Sequence, residues 1–331
     1  MENHPHINLS VTANVLADDG MELPLYKNYF VTELKELPKD EIVLADIDKM
    51  IKTLEKLKTA AVVDPYSGPA LLSGEATGVF FHEIFGHRVE AARMKSENDA
   101  QTFKNKVGEQ VLNKNLSVIF DPTIATYKGF KLSGGYNYDD EGVKSQQVSV
   151  VSKGVLTGFL TNRTPIEGFA KSNGHGRAQI GQQPVTRQSN LIVESEQMFT
   201  AAELRTQFID ELKRQNLEFG FYFKAVSGGF TNTNRIQPNA FNVTPLEVYK
   251  VFANGNPDEL VRGINLVGTP LAMFSEIEAV GGELGQFVGT CGAESGGVPV
   301  SSVCPMMMVK KIEIQKKQKS GNSKPILDRP F

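Results

Sequence analysis

The sequence predicts an α+β fold with a large, mostly antiparallel β-sheet region and a few helices. Segments in which apolar and polar residues alternate recur along the chain, and clusters of glycine, proline, asparagine and aspartate separate them. Helical spacing is confined to a few segments, most of which begin with a residue that can cap a helix. The 331 residues are 40% hydrophobic and 22% charged, which is sufficient for a sizeable core, and they contain no internal repeat.

The N-terminal segment is predicted to begin with two strands and a helix. Residues 7–16 and 23–34 alternate as strands do, with a turn between them. Asp46 is predicted to cap an amphipathic helix. The apolar residues that share one face of this helix are Ile47, Met50, Ile51, Leu54 and Leu57. Residues 62–75 are predicted to form a strand and a loop, so that the next helix begins just after Ser73.

Most of the chain after residue 115 is predicted to be sheet. Short strands are predicted at residues 117–125, 146–151, 155–162 and 218–230. Lys153 and Gly154 are predicted to form the turn of a hairpin. Residues 162–184 are too rich in glycine, proline and asparagine for the interior of a strand or helix, and long loops of this kind often carry function.

Three further helices are predicted in the second half of the chain. Thr200 opens a capping box, and its helix is expected to end near Gly220. Thr244 opens a second capping box with proline at the first helical position, and this helix is expected to end at Gly255. Residues 269–282 are predicted to form the third helix.

Charge and cysteine content argue against several classes of protein. A formal net charge of −3 provides no basic excess for binding nucleic acid. Two cysteines do not make a disulfide framework. The N-terminus lacks the pattern of a signal peptide, and no run reaches the roughly 18 apolar residues of a membrane helix. We therefore expect a cytoplasmic protein that binds neither nucleic acid nor a membrane.

One segment, residues 80–91 with the sequence FFHEIFGHRVEA, carries the residues of a metal site. His82, Glu83 and His87 form an H-E-x-x-x-H pattern, in which the histidines are five residues apart rather than the four of the H-E-x-x-H zinc helix. In a regular helix, residues five apart point about 140° away from each other. A π-bulge would bring them onto one face, and Gly86 would permit such an irregular turn. The alternative is that both histidines only hydrogen-bond to neighbours on a helix.

A zinc site needs a third protein ligand in addition to two histidines. Cys291 lies between glycines, and we expect a tight turn there to present its sulfur. The buried, apolar surroundings of Cys304 favour a packing role for that residue. The residues that could instead donate an oxygen are Glu83, Glu90, Asp139, Asp140 and Glu141.

Four segments in the same order resemble motifs of the TldD/PmbA family of zinc metallopeptidases. HEIFGHRVE at 82–90 resembles the family's H-E-x-x-x-H-x-x-E segment, and YNYDDEG at 136–142 resembles its Asp-Asp-Glu-Gly turn. SNGHGRA at 172–178 and GTCGAESGGVPV at 289–300 resemble two further family segments. Arg88 departs from the family pattern, which has glycine at this position, and this could alter access to the site.

The resemblance implies the fold of this family with a shortened N-terminal domain, because only 81 residues precede His82. Residues 1–72 are then a remnant of an N-terminal α/β domain, and residues 73–331 are the metallopeptidase domain. If the chain is a fragment, a periplasmic or secreted location is also open. The resemblance further implies a homodimer, or a heterodimer with a TldE/PmbA-like subunit.

The resemblance implies that His82, His87 and Cys291 bind one zinc ion per chain and that Glu83 is the general base. We expect a peptidase that hydrolyses peptide bonds in unfolded peptides or small proteins, with Glu83 activating water at the metal. His175 and Arg177, in the glycine-rich loop, are candidates for contacts to the substrate or to the oxyanion. A structural turn is the alternative role of that loop.

Three other functions remain to be separated from this one. A catalytically inactive partner or regulatory subunit of a TldD/PmbA-type heterodimer would share the fold. A cysteine hydrolase with Cys291 as its nucleophile would be insensitive to chelators. A nucleic-acid modulator is disfavoured by the charge.

Overall fold

The computed structural model describes residues 6–97, 99, 101–231, 241–268 and 270–317. The strands are β1 (Ile7–Leu16), β2 (Glu22–Val31), β3 (Ala61–Val62), β4 (Tyr66–Leu72), β5 (Leu116–Phe120), β6 (Thr126–Tyr127), β7 (Phe130–Lys131), β8 (Val148–Ser152), β9 (Val155–Leu156), β10 (Gly176–Arg177), β11 (Val185–Thr186), β12 (Asn190–Ser195), β13 (Phe219–Thr231), β14 (Phe241–Phe252), β15 (Glu259–Arg262), β16 (Ile264–Gly268), β17 (Ile277–Ala293) and β18 (Gly296–Lys316). The helices are α1 (Asp40–Thr59), α2 (Gly74–Ile84), α3 (Ala201–Arg214) and α4 (Pro270–Ser275). In these ranges, no helix is both long and apolar enough to cross a membrane.

A 12-stranded sheet organises most of the chain. Ten of its strands follow the order β3-β15-β14-β13-β4-β18-β12-β5-β8-β9, while β16 pairs with β14 and β18, and β17 pairs with β18. Three pairs are parallel, namely β3 with β15, β4 with β13, and β12 with β18, and the other pairs are antiparallel. The predicted α+β fold with a large, mostly antiparallel sheet is therefore confirmed.

Helix α2 lies across this sheet and packs on β13, β17 and β18. Ser73 caps it as predicted, because its side chain accepts a hydrogen bond from the amide of Ala76. Every residue of α2 except Glu75 is buried. The helix therefore lies in the interior of the domain, and its C-terminal end, with His82 and Glu83, is held against the sheet.

The N-terminal hairpin of β1 and β2 has two different faces. Its odd-numbered residues pack against α1, whose buried residues are Met50, Leu54 and Leu57. Its even-numbered residues form the opposite face. The helix begins at Asp40, so the cap predicted at Asp46 is wrong. Asp46 lies inside the helix, and its carboxylate accepts a hydrogen bond from the Tyr29 hydroxyl.

One predicted helix is replaced by a strand, and another is much shorter than predicted. The segment that begins at Thr244 belongs to β14, in which alternate residues such as Leu246 and Val248 are buried against the sheet. Its capping-box pattern is overridden by pairing with β13 and β15. Of the helix predicted at 269–282, only the short α4 forms, and β17 follows from Ile277.

Elsewhere the local patterns were good predictors. The hairpin at Lys153 and Gly154 is present, with φ of 47° and 79° at its two turn residues. The capping box of Thr200 opens α3 as predicted, although that helix ends at Arg214. Strand β3 pairs with β15 and strand β4 pairs with β13, so both belong to the large sheet. The predicted division of the chain into two domains after residue 72 stays a prediction.

Candidate metal centre

The end of α2 explains the five-residue spacing of the histidines. Phe85 donates its amide to Phe81, which closes the last α-helical turn, and Arg88 donates to Phe85 at 2.8 Å in a 3₁₀ turn over Gly86–Arg88. The chain therefore leaves the helix between the two histidines, and the predicted π-bulge is wrong. The change of direction turns His87 back toward His82, so that their ring centroids lie 4.9 Å apart.

Gly86 is required for a close approach and not for a left-handed backbone. A Cβ atom at this position would lie 1.9 Å from Oε1 of Gln188. The same glutamine donates from Nε2 to the carbonyl of His82. Gln188 therefore fits against the histidine-bearing turn only if residue 86 has no side chain.

The side chain of Arg88 caps the C-terminal end of α2. Its Nη1 donates to the carbonyls of Glu83 and Ile84 at 2.7 and 3.1 Å, which satisfies two of the carbonyls left without partners at a helix C-terminus. The side chain is buried and does not line the cavity described below. The departure from glycine at this position thus stabilises the turn and leaves access to the site unchanged.

Cys291 reaches the histidines from the β17–β18 hairpin. It is a regular strand residue paired with Val298, so the tight turn predicted at Cys291 is wrong. The hairpin turn begins three residues further on, at Glu294. Its Sγ is 3.4 Å from Nε2 of His87. The potential ligand atoms of His82, His87 and Cys291 all lie within 4.8 Å of one another, and all three residues are buried. We call this group the metal centre.

The metal centre favours the thiolate form of Cys291. Burial alone would raise the pKa of the thiol, but the two histidines hold this pKa well below its usual range. Burial also opposes the charge on His87, yet Glu90 and Cys291 together raise the pKa of that imidazole to about 10. The thiolate is the form of cysteine that binds metals.

Glu90 orients one of the histidines. Its Oε2 accepts hydrogen bonds from Nδ1 of His87 at 3.1 Å and from Nε of Arg93 at 2.8 Å. Burial would raise its pKa, but His87, Arg93 and Arg187 lower the pKa to about 2, so the carboxylate is charged. Because Nδ1 of His87 is engaged in this way, Nε2 is directed toward Cys291. Glu90 thus lies behind His87, on the side away from the sulfur.

Arg187 is a contributor that the sequence reasoning missed. It is fully buried and donates to the carbonyl of Cys291 at 2.5 Å, to Oγ of Ser295 at 2.8 Å and to the carbonyl of Gly296 at 2.9 Å. Its Nε lies 3.9 Å from Oε1 of Glu90. One side chain therefore links the hairpin that carries Cys291 to the carboxylate that orients His87. Nothing in the local pattern around Arg187 distinguishes it from a surface arginine.

His175 and Arg177, in the loop that was expected to contact substrate, bond to other parts of the protein. Nε2 of His175 is 3.1 Å from Oγ of Ser189, and burial is the main cause that lowers the pKa of this histidine to about 3. Nη1 of Arg177 donates to the carbonyls of Gln188 and Pro299. Neither side chain lines the cavity above the metal centre.

The acidic turn at residues 139–141 holds the glycine-rich loop in place by hydrogen bonds. Asp139 accepts a hydrogen bond from the amide of Gly176 at 2.9 Å, and Asp140 accepts one from the amide of Ala178 at 2.8 Å. Glu141 accepts from Asn162 and from the amide of Arg163. These acids, which were alternative metal ligands from the sequence, are engaged with the loop backbone. We call His175, Arg177, Asp139 and Asp140 the loop cluster.

A cavity of about 1120 Å³ opens above the metal centre. Glu83 lies on its wall beside the backbone of Gly229, where a Cβ atom would come within 2.3 Å of Cγ of the glutamate. The tip of β13 and the even-numbered face of the N-terminal hairpin form further walls. Residues from these walls are Asn8, Ser10, Thr12, Tyr26, Asn28, Phe30, Ser227, Gly228, Gly229 and Phe230, and β17 adds Phe287 and Thr290.

Comparison with known sequences gives a consistent family assignment. The PmbA/TldA metallopeptidase C-terminal domain matches residues 65–316. A protein named metalloprotease from Methanothermobacter thermautotrophicus is 30% identical over 237 residues, which cover 71% of this chain and 47% of that protein. The zinc metalloprotease TldD homolog of Saccharolobus solfataricus is 27% identical over 282 residues, which cover 82% and 56% of the two chains. The chain thus spans about half the length of the relatives that it matches.

Solved structures show the same fold. A putative modulator of DNA gyrase from Thermotoga maritima superposes with a TM-score of 0.66 and 20% identity, over 93% of this chain and 62% of that one. TldE from Thermococcus kodakarensis superposes with a TM-score of 0.62 and 14% identity, over 94% and 62%. At these identities the similarity concerns the fold alone.

Proposed function

The chain belongs to the PmbA/TldD family of metallopeptidases, and from this premise we propose that it is a zinc-dependent peptidase acting on unfolded peptides or small proteins. One observation carries the proposal. Ligand atoms from two distant segments, at residues 82–87 and at residue 291, converge within 4.8 Å on the wall of a cavity that also contains a carboxylate, Glu83.

The residues of the metal centre fit zinc. Two imidazoles and one thiolate are a donor set that zinc favours, and a catalytic zinc site has three protein ligands with one position open. Glu90 supports the fit, because a carboxylate on the far nitrogen of a ligand histidine is the usual way in which proteins orient such a ring. We expect one zinc ion per chain, held by His82, His87 and Cys291.

When bound, zinc supplies Lewis-acid chemistry that makes water nucleophilic at neutral pH and polarises a carbonyl. The chain's own contribution to the reaction is Glu83, which we propose as the general base. It lies next to His82 in sequence and lines the same cavity, so it can accept a proton from the attacking water and deliver it to the leaving amine. The backbone at Gly229 limits the positions open to its side chain.

The shape of the cavity favours an extended peptide as the substrate. The consecutive residues Phe287–Glu294 all line it, which means that one edge of β17 faces the cavity. Among the strands that the structure describes, β17 pairs only with β18, so this edge is available for a peptide to add as a further strand. Recognition of this kind depends on the backbone, and a folded protein cannot supply a free strand.

Assembly and location are further proposals, of which only the assembly rests on the family. A homodimer, or a heterodimer with a TldE/PmbA-like subunit, is consistent with the structural similarity to TldE. We propose a cytoplasmic protein. The loop cluster has no part in the proposed reaction, because its polar groups are engaged inside the protein.

The test uses the full chain purified without chelator. Metal content is measured by mass spectrometry, and cleavage of a denatured protein is compared with cleavage of the same protein in its native state. We expect about one zinc per chain, cleavage of the denatured form only, and loss of cleavage in Glu83→Gln by a factor of about 10² to 10⁴ with zinc retained.

The same experiment separates the rival functions. A wild-type chain that retains no metal after zinc is supplied would favour the inactive subunit. Cleavage that persists in chelator and stops on thiol alkylation would favour a cysteine hydrolase with Cys291 as nucleophile. Alkylation alone does not discriminate, because a cysteine ligand also reacts.

A further inference from the structure

A second cavity of about 400 Å³ adjoins the one above the metal centre. The residues that line both cavities are Asn8, Tyr26, Asn28, Phe30, Phe287 and Val288. The two spaces are therefore neighbouring parts of one groove, which runs between the N-terminal hairpin and β17. Helix α2 contributes to both parts, with Glu83 lining the first and Glu75 lining the second.

Glu75 differs from the rest of its helix. It is the one residue of α2 that is not buried, and its carboxylate forms no hydrogen bond or ion pair with any residue that the structure describes. Partial burial raises its pKa to about 7, although the nearby Lys27 acts in the opposite direction. A carboxylate that has lost water without gaining a partner costs free energy, and a cation placed beside it would offset that cost.

The other acids of the second cavity already have partners. Asp46 accepts a hydrogen bond from the Tyr29 hydroxyl and lies 3.7 Å from the ammonium of Lys27. Glu247 pairs with Lys224 at 2.7 Å. The remaining lysine of the cavity, Lys49, is exposed to solvent. The poorly hydrated and unmatched charge is therefore the carboxylate of Glu75, and the complementary ligand is a cation.

The distance along α2 gives the position of this cation in a bound peptide. Glu75 precedes His82 by seven residues, or about 10 Å of helix. An extended peptide advances about 3.3 Å per residue, so a chain that passes the metal centre would reach Glu75 after about three residues. The rings of Tyr26, Phe30 and Phe287 line both parts of the groove, and they could pack on the aliphatic stem of a long basic side chain.

We propose that Glu75 binds a positively charged group of the substrate peptide, about three residues from the bond that is cut. This group is either a basic side chain or a free N-terminal amine. The inference rests on the proposed peptidase function and adds a charge preference to it.

The test compares wild type with Glu75→Gln on N-acetylated peptides that carry a single lysine, or norleucine as its neutral counterpart, at each successive position. A second set has free N-termini. We expect wild type to prefer lysine by about tenfold or more in kcat/KM at one position about three residues from the cleaved bond. The preference should fall to near unity in Glu75→Gln and persist in Glu55→Gln, an exposed acid on α1. A preference for the free amine at the same distance would assign the site to the N-terminus.

Several results would overturn the inference. One is cleavage of lysine and norleucine peptides at equal rates by wild type, which would leave the peptidase function intact. Another is a lysine preference that survives in Glu75→Gln. A preference for an acidic residue or a C-terminal carboxylate at that distance would assign the subsite to the lysines instead.

Measuring peptide binding tests the role of Glu75 even if the proposed peptidase activity is absent. If wild type cleaves none of the peptides, their binding is measured by fluorescence anisotropy on wild type and Glu75→Gln. Tighter binding of the lysine peptide that depends on Glu75 would support the subsite without any cleavage. Equal binding of the lysine and norleucine peptides would overturn it.

Discussion

The metal centre and the loop cluster are built from similar residues, yet their polar atoms are used differently. Each has a buried histidine near a buried arginine and a buried carboxylate. In the loop cluster, His175 bonds to Ser189 and Arg177 bonds to two carbonyls, so these groups are satisfied by the protein. At the metal centre, Nδ1 of His87 hydrogen-bonds to Glu90, and Nε2 of the same ring faces Cys291 beside an open cavity.

The difference shows how a candidate metal site differs in its electrostatics from a structural cluster in the same fold. Burial lowers the pKa of His175 to about 3, whereas a carboxylate and a thiolate overcome burial and raise the pKa of His87 to about 10. An uncharged histidine surrounded by satisfied groups holds a loop in place. A histidine with a charged partner behind it and a ligand atom in front of it is prepared to bind a metal.

The largest effect is expected from removing a ligand of the metal centre. Cys291→Ala leaves two histidines and should lose both zinc and peptidase activity, since two ligands hold zinc weakly. Metal content by mass spectrometry is the measurement. The matched control is Cys304→Ala, which removes the chain's other cysteine from the interior of β18. That control should lose some stability and retain zinc. Stoichiometric zinc in Cys291→Ala would contradict the proposed ligand set.

The next effect concerns the placement of Glu83. In Gly229→Ala the new methyl group would lie 2.3 Å from Cγ of Glu83 and must displace that side chain. We expect kcat to fall about 10²-fold with zinc content unchanged, because a general base misplaced by about 1 Å loses most of its effect. Gly158→Ala is the control, since no heavy atom lies within 4 Å of the added group. Unchanged kcat in Gly229→Ala would remove Glu83 from the mechanism.

A smaller effect is expected from the carboxylate behind His87. Glu90→Gln removes the charge that orients this ring, and zinc affinity should fall about 10- to 100-fold. The measurement is a zinc titration against a competing chelator. Glu294→Gln is the control, because Glu294 contacts Arg93 of the same network at 3.6 Å from an exposed position, where ion pairs contribute little. Equal affinities in the two variants would mean that Glu90 has no positioning role.

Substitutions in the loop cluster should change the stability of the fold and leave zinc binding at the metal centre nearly unchanged. The pKa of His175 in the folded chain, about 3, is below its ordinary value of 6.5. The unfolded chain therefore gains a proton that the folded chain does not, and stability falls as pH drops from 6.5 toward 3. Between pH 6.5 and pH 5 the loss from this one group should be roughly 2 kcal/mol.

Denaturant unfolding of wild type and His175→Gln over this pH range measures that loss. The variant should be less stable at neutral pH, with a shallower dependence on pH and with its zinc content retained. Parallel pH profiles would show that His175 is not the group responsible. Loss of zinc in the variant would mean that His175 also supports the metal centre, which would contradict the separate roles given to the two clusters.

Local patterns predicted the parts of the fold that depend on neighbours in sequence. The cap at Ser73, the capping box at Thr200 and the hairpin at Lys153 are all present, because hydrogen bonds within a few residues determine them. The same reasoning failed at Thr244, where a capping-box sequence forms part of β14. Pairing with β13 and β15 outweighs the local helical preference there.

The sequence by itself determined the composition of the metal centre. A glutamate between two histidines, and a cysteine in a glycine-rich segment some two hundred residues later, form a residue set that suits zinc. The resemblance to the TldD/PmbA motifs connected the two segments. It also included His175 and Arg177, whose polar groups bond to the protein itself in the structure.

Only the tertiary structure decided how those residues meet. The five-residue spacing works because α2 ends between the histidines, which depends on Gln188 packing against Gly86 and on Arg88 satisfying the helix carbonyls. The contacts of Arg187 with Cys291 and of Gly229 with Glu83 join segments more than a hundred residues apart. Such contacts leave no periodic signal in the chain, because packing between elements, and not the pattern within any one of them, brings the groups together.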